Sequence, residues 1–307
     1  MIDKTQKEIM RRWQSDEAPV VSVCCITYNH EKYIEQALDG ILMQETTFPF
    51  ELIIHDDAST DRTPEILRHY ADNYPEIIRL ILQRENQFSK AGLINLRFVF
   101  PEARGRYIAL CEGDDFWTDK TKLDKQVRFL DANPEYVITY SDCKPFDEEG
   151  ALDIDFGGAR RDLEAMELKK ATPLFTLTTC FRNVIKEVPP DLLSARYGDL
   201  VTWSLLGAHG KGKYMSDIAP SAYRVHDGGI HSKKTKRQRH RMTMITKAAL
   251  FSYYSRRGES DISEYFLREV LRETLLGLGP EEAFKYLSGR LARKLGRLFS
   301  RLKPGLG

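Results

Sequence analysis

The chain has 307 residues, 42% hydrophobic and 30% charged, with a formal net charge of +1. That composition suits a globular protein with a real core, and the near-neutral balance excludes nucleic-acid binding through overall charge. No apolar run approaches the ~20 residues of a transmembrane helix, and residues 1–17 lack the apolar stretch of a secretory signal.

Residues 3–14 are expected to form a short polar helix. Val20 to Ile26 is a continuous apolar run rich in Val and Cys, the mark of a strand buried on both faces of a parallel sheet. It ends at Thr27-Tyr28-Asn29-His30. Tyr33, Ile34, Ala37, Leu38, Ile41 and Leu42 then recur at helical spacing. Phe50 to His55 reads as a second strand, closed by Asp56-Asp57-Ala58-Ser59-Thr60-Asp61. Thr63-Pro64 opens a helix to about Tyr74, with Pro64 at a favoured first position. Ile77 to Leu82 is a third strand, 91–103 a weakly amphipathic helix, and Tyr107 to Cys111 a fourth strand. A helix over Thr121 to Asp131 and a strand over Tyr136 to Tyr140 follow. Residues 144–170 read as an acidic surface loop and Pro173 to Arg182 as an alternating strand. Leu200 to Ala208 is an apolar helix behind Tyr197-Gly198-Asp199, and Lys213 to Val225 holds two short strand segments broken near Pro220. His226 to Ser232 is a glycine-bearing loop. Lys233 to Arg241 is basic, and the rest is helical with a break at Gly277–Pro280.

Strands alternating with helices of ~10 residues predict βαβ units and a mostly parallel, doubly wound α/β sheet. Ligands of such sheets bind beyond the carboxyl ends of the strands. Three polar clusters fall there: Thr27-Tyr28-Asn29, Asp56-Asp57 and Glu112-Gly113-Asp114-Asp115. Three carboxylates in four residues repel one another unless something positive sits among them, and a hard divalent cation shared with substrate phosphates is the usual remedy. A solvated acidic turn is the plainer alternative. The chain has no G-x-G-x-x-G after its first strand, no P-loop and no serine nucleophile elbow. A nucleotide would therefore be held by side chains and a metal. Tyr28 can stack on a base, a contact worth ~1–3 kcal/mol. Asp56 or Asp57 can accept a base N–H, or cap the following turn instead. Cys24, Cys25, Cys111, Cys143 and Cys180 form no C-x-x-C pair and read as buried free thiols of a reducing, cytoplasmic compartment.

The run Val21 to Asn29, the turn Asp56 to Asp61 and Glu112 to Trp117 together resemble glycosyltransferase family 2. The likeness covers residues 20–140 well. It extends more loosely to about 232, through Thr178 to Arg182, Tyr197-Gly198-Asp199 and Tyr223-Arg224-Val225-His226. It implies a GT-A, Rossmann-like fold and an inverting enzyme that uses a nucleotide-diphosphate sugar and Mn2+ or Mg2+. The domain division on this reading is 1–232 for the catalytic domain, with a nucleotide-binding half of about 20–140 and an acceptor-side half of about 141–232. A helical, basic extension then occupies 233–307. The resemblance maps Thr27, Tyr28, Asn29 and Asp56 or Asp57 onto nucleoside contacts, and Glu112-Gly113-Asp114 onto the D-x-D motif. A glutamate at the first position departs from that motif. It leaves open which of Glu112, Asp114 and Asp115 meets the metal and which the ribose, with Asp114 favoured for the metal. Asp115 and His226 complete the expected metal residues, His226 matching a histidine that closes over the ion in some members.

Asp199 resembles the acidic residue that family members place beside the acceptor, which makes it the candidate general base; a helix N-cap is the competing reading. Trp117 is a candidate floor for an acceptor sugar or else a packed core residue. The resemblance also implies a saccharide or lipid-linked saccharide acceptor of surface polysaccharide or glycolipid synthesis. Residues 286–307 carry Arg290, Arg293, Lys294, Arg297, Arg301 and Lys303 without an acid, beside leucines at helical spacing. Two readings stand for them: peripheral contact with the inner face of the cell membrane, and a helix packed on the catalytic domain. A sugar-nucleotidyltransferase and a catalytically inactive binding module are the alternatives for the whole chain.

Overall fold

The computed structural model describes residues 4–13, 18–90, 92–229 and 234–278, together with 282, 285 and 288. A short helix α1 (Gln6–Met10) begins at a capping box, in which Thr5 Oγ1 accepts from the Glu8 amide and Glu8 accepts from Thr5 N–H. Then come β1 (Val21–Thr27), α2 (Ile34–Leu42), β2 (Phe50–Asp56), α3 (Thr63–Asn73), β3 (Ile78–Leu82) and the single turn α4 (Gln87–Lys90). The centre of the chain holds β4 (Tyr107–Leu110), α5 (Lys122–Ala132), β5 (Tyr136–Tyr140), β6 (Cys143–Asp147), β7 (Gly150–Ala151) and α6 (Ala165–Lys169). It is followed by β8 (Cys180–Arg182), α7 (Gly198–Leu206), β9 (Lys211–Tyr214), β10 (Ser221–Arg224), α8 (Lys236–Arg256) and α9 (Ser260–Leu278).

Seven strands form one sheet in the order β3-β2-β1-β4-β8-β5-β9. Its pairings are parallel except the two made by β8. A second sheet has the order β10-β6-β7. Successive side chains of a strand point to opposite faces, and β1 follows that rule: Val21, Val23 and Cys25 enter the core under α2, α3 and α5, while Cys24 enters the core under α6 to α9. Ile34, Leu38 and Ile41 of α2 are fully buried, each contributing roughly 1.5–3 kcal/mol. Ala249, Leu250, Ile262 and Phe266 of α8 and α9 belong to the same core as Phe181 and Trp203. All five cysteines are free and buried.

Three elements differ from their sequence expectation. The helix over 91–103 is a π-helical turn at Asn95–Val99 followed by a 3-10 turn at Phe100–Glu102. Gly92 and Leu93 sit at positive φ and Pro101 has no amide to donate, so a regular helix neither starts nor continues there. Of the expected strand 173–182 only Cys180–Arg182 pairs. The hydroxyls of Thr178 and Thr179 donate to the carbonyls of Phe175 and Thr176, and such local bonds favour a turn. The acidic stretch 144–170 is not a plain loop, because β6 finds β10 as a parallel partner about 80 residues away. The C-terminal helices break at Gly258, which takes φ +72°. No described helix is long and apolar enough to cross a membrane. The run 286–307, apart from Ser288, lies outside the described residues.

Candidate active site

The carboxyl ends of β1, β2 and β4 meet at one rim, with Thr27 beside Asp56 in register. The chain leaving β4 is fastened to the end of β1: Cys111 N–H donates to Cys24 O at 3.2 Å and Gly113 N–H to Ile26 O at 2.9 Å. A Cβ at Gly113 would stand 2.8 Å from Thr27 Cβ and 2.9 Å from Ile34 Cδ1, so the turn lies flat against β1 only with glycine there.

Asp114 projects from this turn towards two imidazoles. Its Oδ2 is 3.1 Å from His226 Nε2 and 3.6 Å from His30 Nε2. The three donor atoms all lie within 4.8 Å of one another, close enough to share one ion. His226 stands two residues past β10, and β10 is pinned to the acidic turn by paired bonds between Phe116 and Ala222. Arg224 adds three more ties: its amide donates to Asp115 Oδ1 at 2.7 Å, its Nε to Asp114 O at 2.9 Å, and its Nη2 to Gln36 Oε1. Its guanidinium is sandwiched between the Tyr33 and Phe146 rings, at 4.6 and 4.5 Å. Tyr33 also packs edge-on against His226. On its other side His226 receives the Gly228 amide at Nδ1, 3.2 Å away.

His30 is fixed by the turn after β2. Asn29 N–H donates to Ser59 Oγ, His30 N–H to Thr63 Oγ1 and Glu31 N–H to Asp61 Oδ2, while Asn29 Oδ1 accepts from Thr60 N–H. Asn29 itself takes φ 57°, which asparagine tolerates better than most residues.

Burial, then Asp114 and Asp199, pushes the Glu112 carboxyl up to about 8. Burial, then Asp114 and Glu112, pushes Asp115 well above the carboxylate range. Burial also acts to raise Asp114, but the hydrogen bond with His226 and the charge of His30 outweigh it and hold Asp114 below its ordinary value. The turn therefore relieves its like-charge conflict by ionising the middle carboxyl. Glu112 Oε2 and Thr27 Oγ1 are buried without a hydrogen-bond partner, which leaves both available to a ligand.

The remaining expected residues divide. Tyr28 stands at the rim, 44% exposed. Asp56 accepts from the amide and hydroxyl of Ser59, and Asp57 from the amides of Gln87 and Phe88, so both buried carboxylates cap turns. Asp199 is the second residue of α7 and not its N-cap, which is Tyr197. Its charge adds to the upward push on the Glu112 carboxyl. Two expected residues lie apart from the His30, Asp114 and His226 group. Asp115 stands outside the ligating group: it is 4% exposed and its carboxylate holds the Arg224 amide. Trp117 is placed in the core rather than at the rim. It is 1% exposed, its Nε1 donates to Leu177 O, and the Lys122 ammonium covers its ring at 4.3 Å. An exposed aromatic stands at Phe156, edge-on to Tyr223, whose hydroxyl is pushed up by burial and then by the charges of Asp115, Asp114 and Glu112. His30 and Phe156 were not singled out from the sequence. His30 is 84 residues from Asp114 in the chain and 196 from His226, so no local ligand spacing marks it.

Residues 22–183, a little over half of the chain, match the family described as Glycosyl transferase family 2. The chain belongs to this family. As a family 2 glycosyltransferase it is 36% identical over 267 residues to the Mycobacterium tuberculosis protein Rv1520, covering 81% of this chain and 75% of the relative. It is 29% identical over 228 residues to the putative teichuronic acid biosynthesis glycosyltransferase TuaG of Bacillus subtilis, covering 74% and 86%. It is 25% identical over 224 residues to the Escherichia coli UDP-Glc:alpha-D-GlcNAc-diphosphoundecaprenol beta-1,3-glucosyltransferase WfaP, covering 71% and 82%. The fold is GT-A. Similar solved structures include S. aureus TarS 1-349 in complex with UDP-GlcNAc, with TM-score 0.56 and 18% identity over 75% of this chain and 66% of that one. Another is the mannosyltransferase PcManGT from Pyrobaculum calidifontis in complex with GDP-Man and Mn2+, with TM-score 0.54 and 18% identity over 94% and 87%.

Proposed function

We propose that this glycosyltransferase moves a sugar from a nucleoside diphosphate donor to a hydroxyl of a saccharide or lipid-linked saccharide, with inversion and with a divalent ion. The observation that carries the reading is the group His30, Asp114 and His226 at the carboxyl end of β4, where an α/β sheet binds ligands. Its donor set fits an ion, and the unpartnered Thr27 Oγ1 and Glu112 Oε2 beside it fit a polar ligand. The names of TuaG and WfaP support surface polysaccharide synthesis as the setting. The donors in the TarS and PcManGT complexes support a nucleotide sugar.

In this reading Tyr28 stacks on the base at the rim, and Glu112 Oε2 and Thr27 Oγ1 meet the ribose and its neighbouring phosphate oxygen. Asp56, Asp57 and Asn29 hold the rim in shape around the nucleoside. Asp114, His226 and His30 would hold the ion, whose contribution when bound would be Lewis-acid neutralisation of the departing diphosphate. Asp199 takes the proton of the acceptor hydroxyl as that oxygen attacks the anomeric carbon. The bond from that carbon to the diphosphate oxygen breaks in the same displacement, so the configuration inverts. Phe156 and Tyr223 offer an aromatic surface for the acceptor ring.

The test is release of nucleoside diphosphate from UDP-, GDP- and dTDP-sugars in the presence of Mn2+. Release from one donor, abolished by Asp114→Asn, is the expected result. Pyrophosphate exchange in place of release would make the enzyme a sugar-nucleotidyltransferase, and binding without turnover would reject catalysis.

A further inference from the structure

We propose that His30 is a third metal ligand, and that the resulting two-imidazole, one-carboxylate set makes this enzyme select imidazole-binding first-row ions over Mg2+. The inference rests on the metal-dependent reading above and narrows it.

The geometry is specific. His30 Nε2 faces the same Asp114 oxygen as His226 Nε2, at 3.6 against 3.1 Å, and the two rings meet edge-on with centroids 6.0 Å apart. Neither imidazole is a loose surface group, since the side chains are 14% and 10% exposed. Their supports are independent. His30 hangs from the turn at Ser59, Asp61 and Thr63, while His226 hangs from β10 and the Arg224 ties. A ligand held this way gives up little freedom on binding an ion. A core histidine would have a protein partner for its ring. The described structure gives His30 none except Asp114 on the Nε2 side, and leaves its Nδ1 buried and unpartnered.

The chemistry then decides the ion. Mg2+ prefers oxygen donors in a tight octahedron and sheds water reluctantly. An aspartate with two neutral imidazoles offers it one oxygen. Imidazole nitrogen suits Co2+ and Zn2+, and affinity for such sites rises from Mn2+ through Co2+ along the first row. Without His30 the same turn would present one oxygen and one nitrogen, and nucleotide phosphates would dominate the choice. His30 thus moves ion selection from the substrate to the protein.

The full-length chain, without nucleotide, is titrated by calorimetry with Mn2+, Co2+, Zn2+ and Mg2+, and the Co2+ complex is read by its visible absorption. Co2+ and Zn2+ are expected to bind more tightly than Mn2+, and all three far more tightly than Mg2+. His30→Ala is expected to weaken Co2+ and Mn2+ binding by at least about tenfold, to change the Co2+ spectrum, and to leave Mg2+ binding unaltered. His30→Gln, which keeps bulk and polarity, should behave as His30→Ala does, with an unchanged melting temperature in chelator for both. Equal affinity for Mg2+ and Mn2+ in the wild type overturns the inference, as does a His30→Ala protein with the wild-type ion order and Co2+ spectrum. Failure of the wild type to bind any of the four ions overturns the metal-dependent reading itself.

Discussion

Gly113 lies so close to Thr27 that a single added methyl would stand 2.8 Å from Thr27 Cβ. Gly113→Ala must push the acidic turn off the end of β1. Overpacking of this kind costs about 1–3 kcal/mol. The displaced turn carries Asp114, so activity should fall further than the stability loss alone explains. Urea unfolding and nucleotide release, measured on the same sample, check both halves.

Asp199 is the group on which the acceptor's proton is expected to depart. Asp199→Asn keeps the shape of the first turn of α7 and removes the base. Transfer should drop by roughly 10²–10⁴-fold, while donor and Mn2+ affinities stay at wild-type values. Retained turnover would remove Asp199 from the mechanism.

Phe156 should act on the acceptor alone. Phe156→Ala is expected to raise the acceptor KM with little change in kcat or in slow hydrolysis of the donor, and Phe156→Trp should restore the KM. An equal loss in donor hydrolysis would show that the residue supports the fold of the site and not the acceptor.

Glu51 gives a stability test at the opposite end of β2. Its carboxylate is 1% exposed as a residue and accepts from Arg104, Arg79 and Ser22. Burial acts to raise it, but the bonds from Arg104 and Ser22 prevail and the carboxyl lies below its ordinary 4.5. A carboxyl lower in the folded than in the unfolded chain stabilises above the unfolded value, and that stability is lost as pH falls through the folded one. Glu51→Gln should cost about 1–3 kcal/mol at pH 7. The gap between the two proteins should close in acid below the folded value. Urea midpoints of both proteins across that range decide it.

The parallel half of the sheet was legible because β1, β2 and β4 are apolar runs that end in polar clusters, and because β1 and β2, and β2 and β3, pair one helix apart. Glu112 to Asp115 was legible as a polar cluster at that rim for the same reason. What local pattern could not carry was long-range pairing. The partnership of β6 with β10 and the approach of His30 to Asp114 depend on contacts across about 80 residues. The burial of Trp117 and Asp115 was hidden for a different reason. Alternation and charge place them near the rim, but only packing reveals that Leu177, Lys122 and Arg224 enclose them.

The short contact from the Gly228 amide to His226 Nδ1 has a consequence for timing. A nitrogen that accepts a hydrogen bond bears no proton, so in this arrangement the proton of a neutral ring sits on Nε2, shared with Asp114. With an ion at Nε2 the ring proton belongs on Nδ1, facing the Gly228 N–H, so amide exchange at Gly228 is expected to quicken when Mn2+ is added, and an unchanged rate would count against His226 as a ligand.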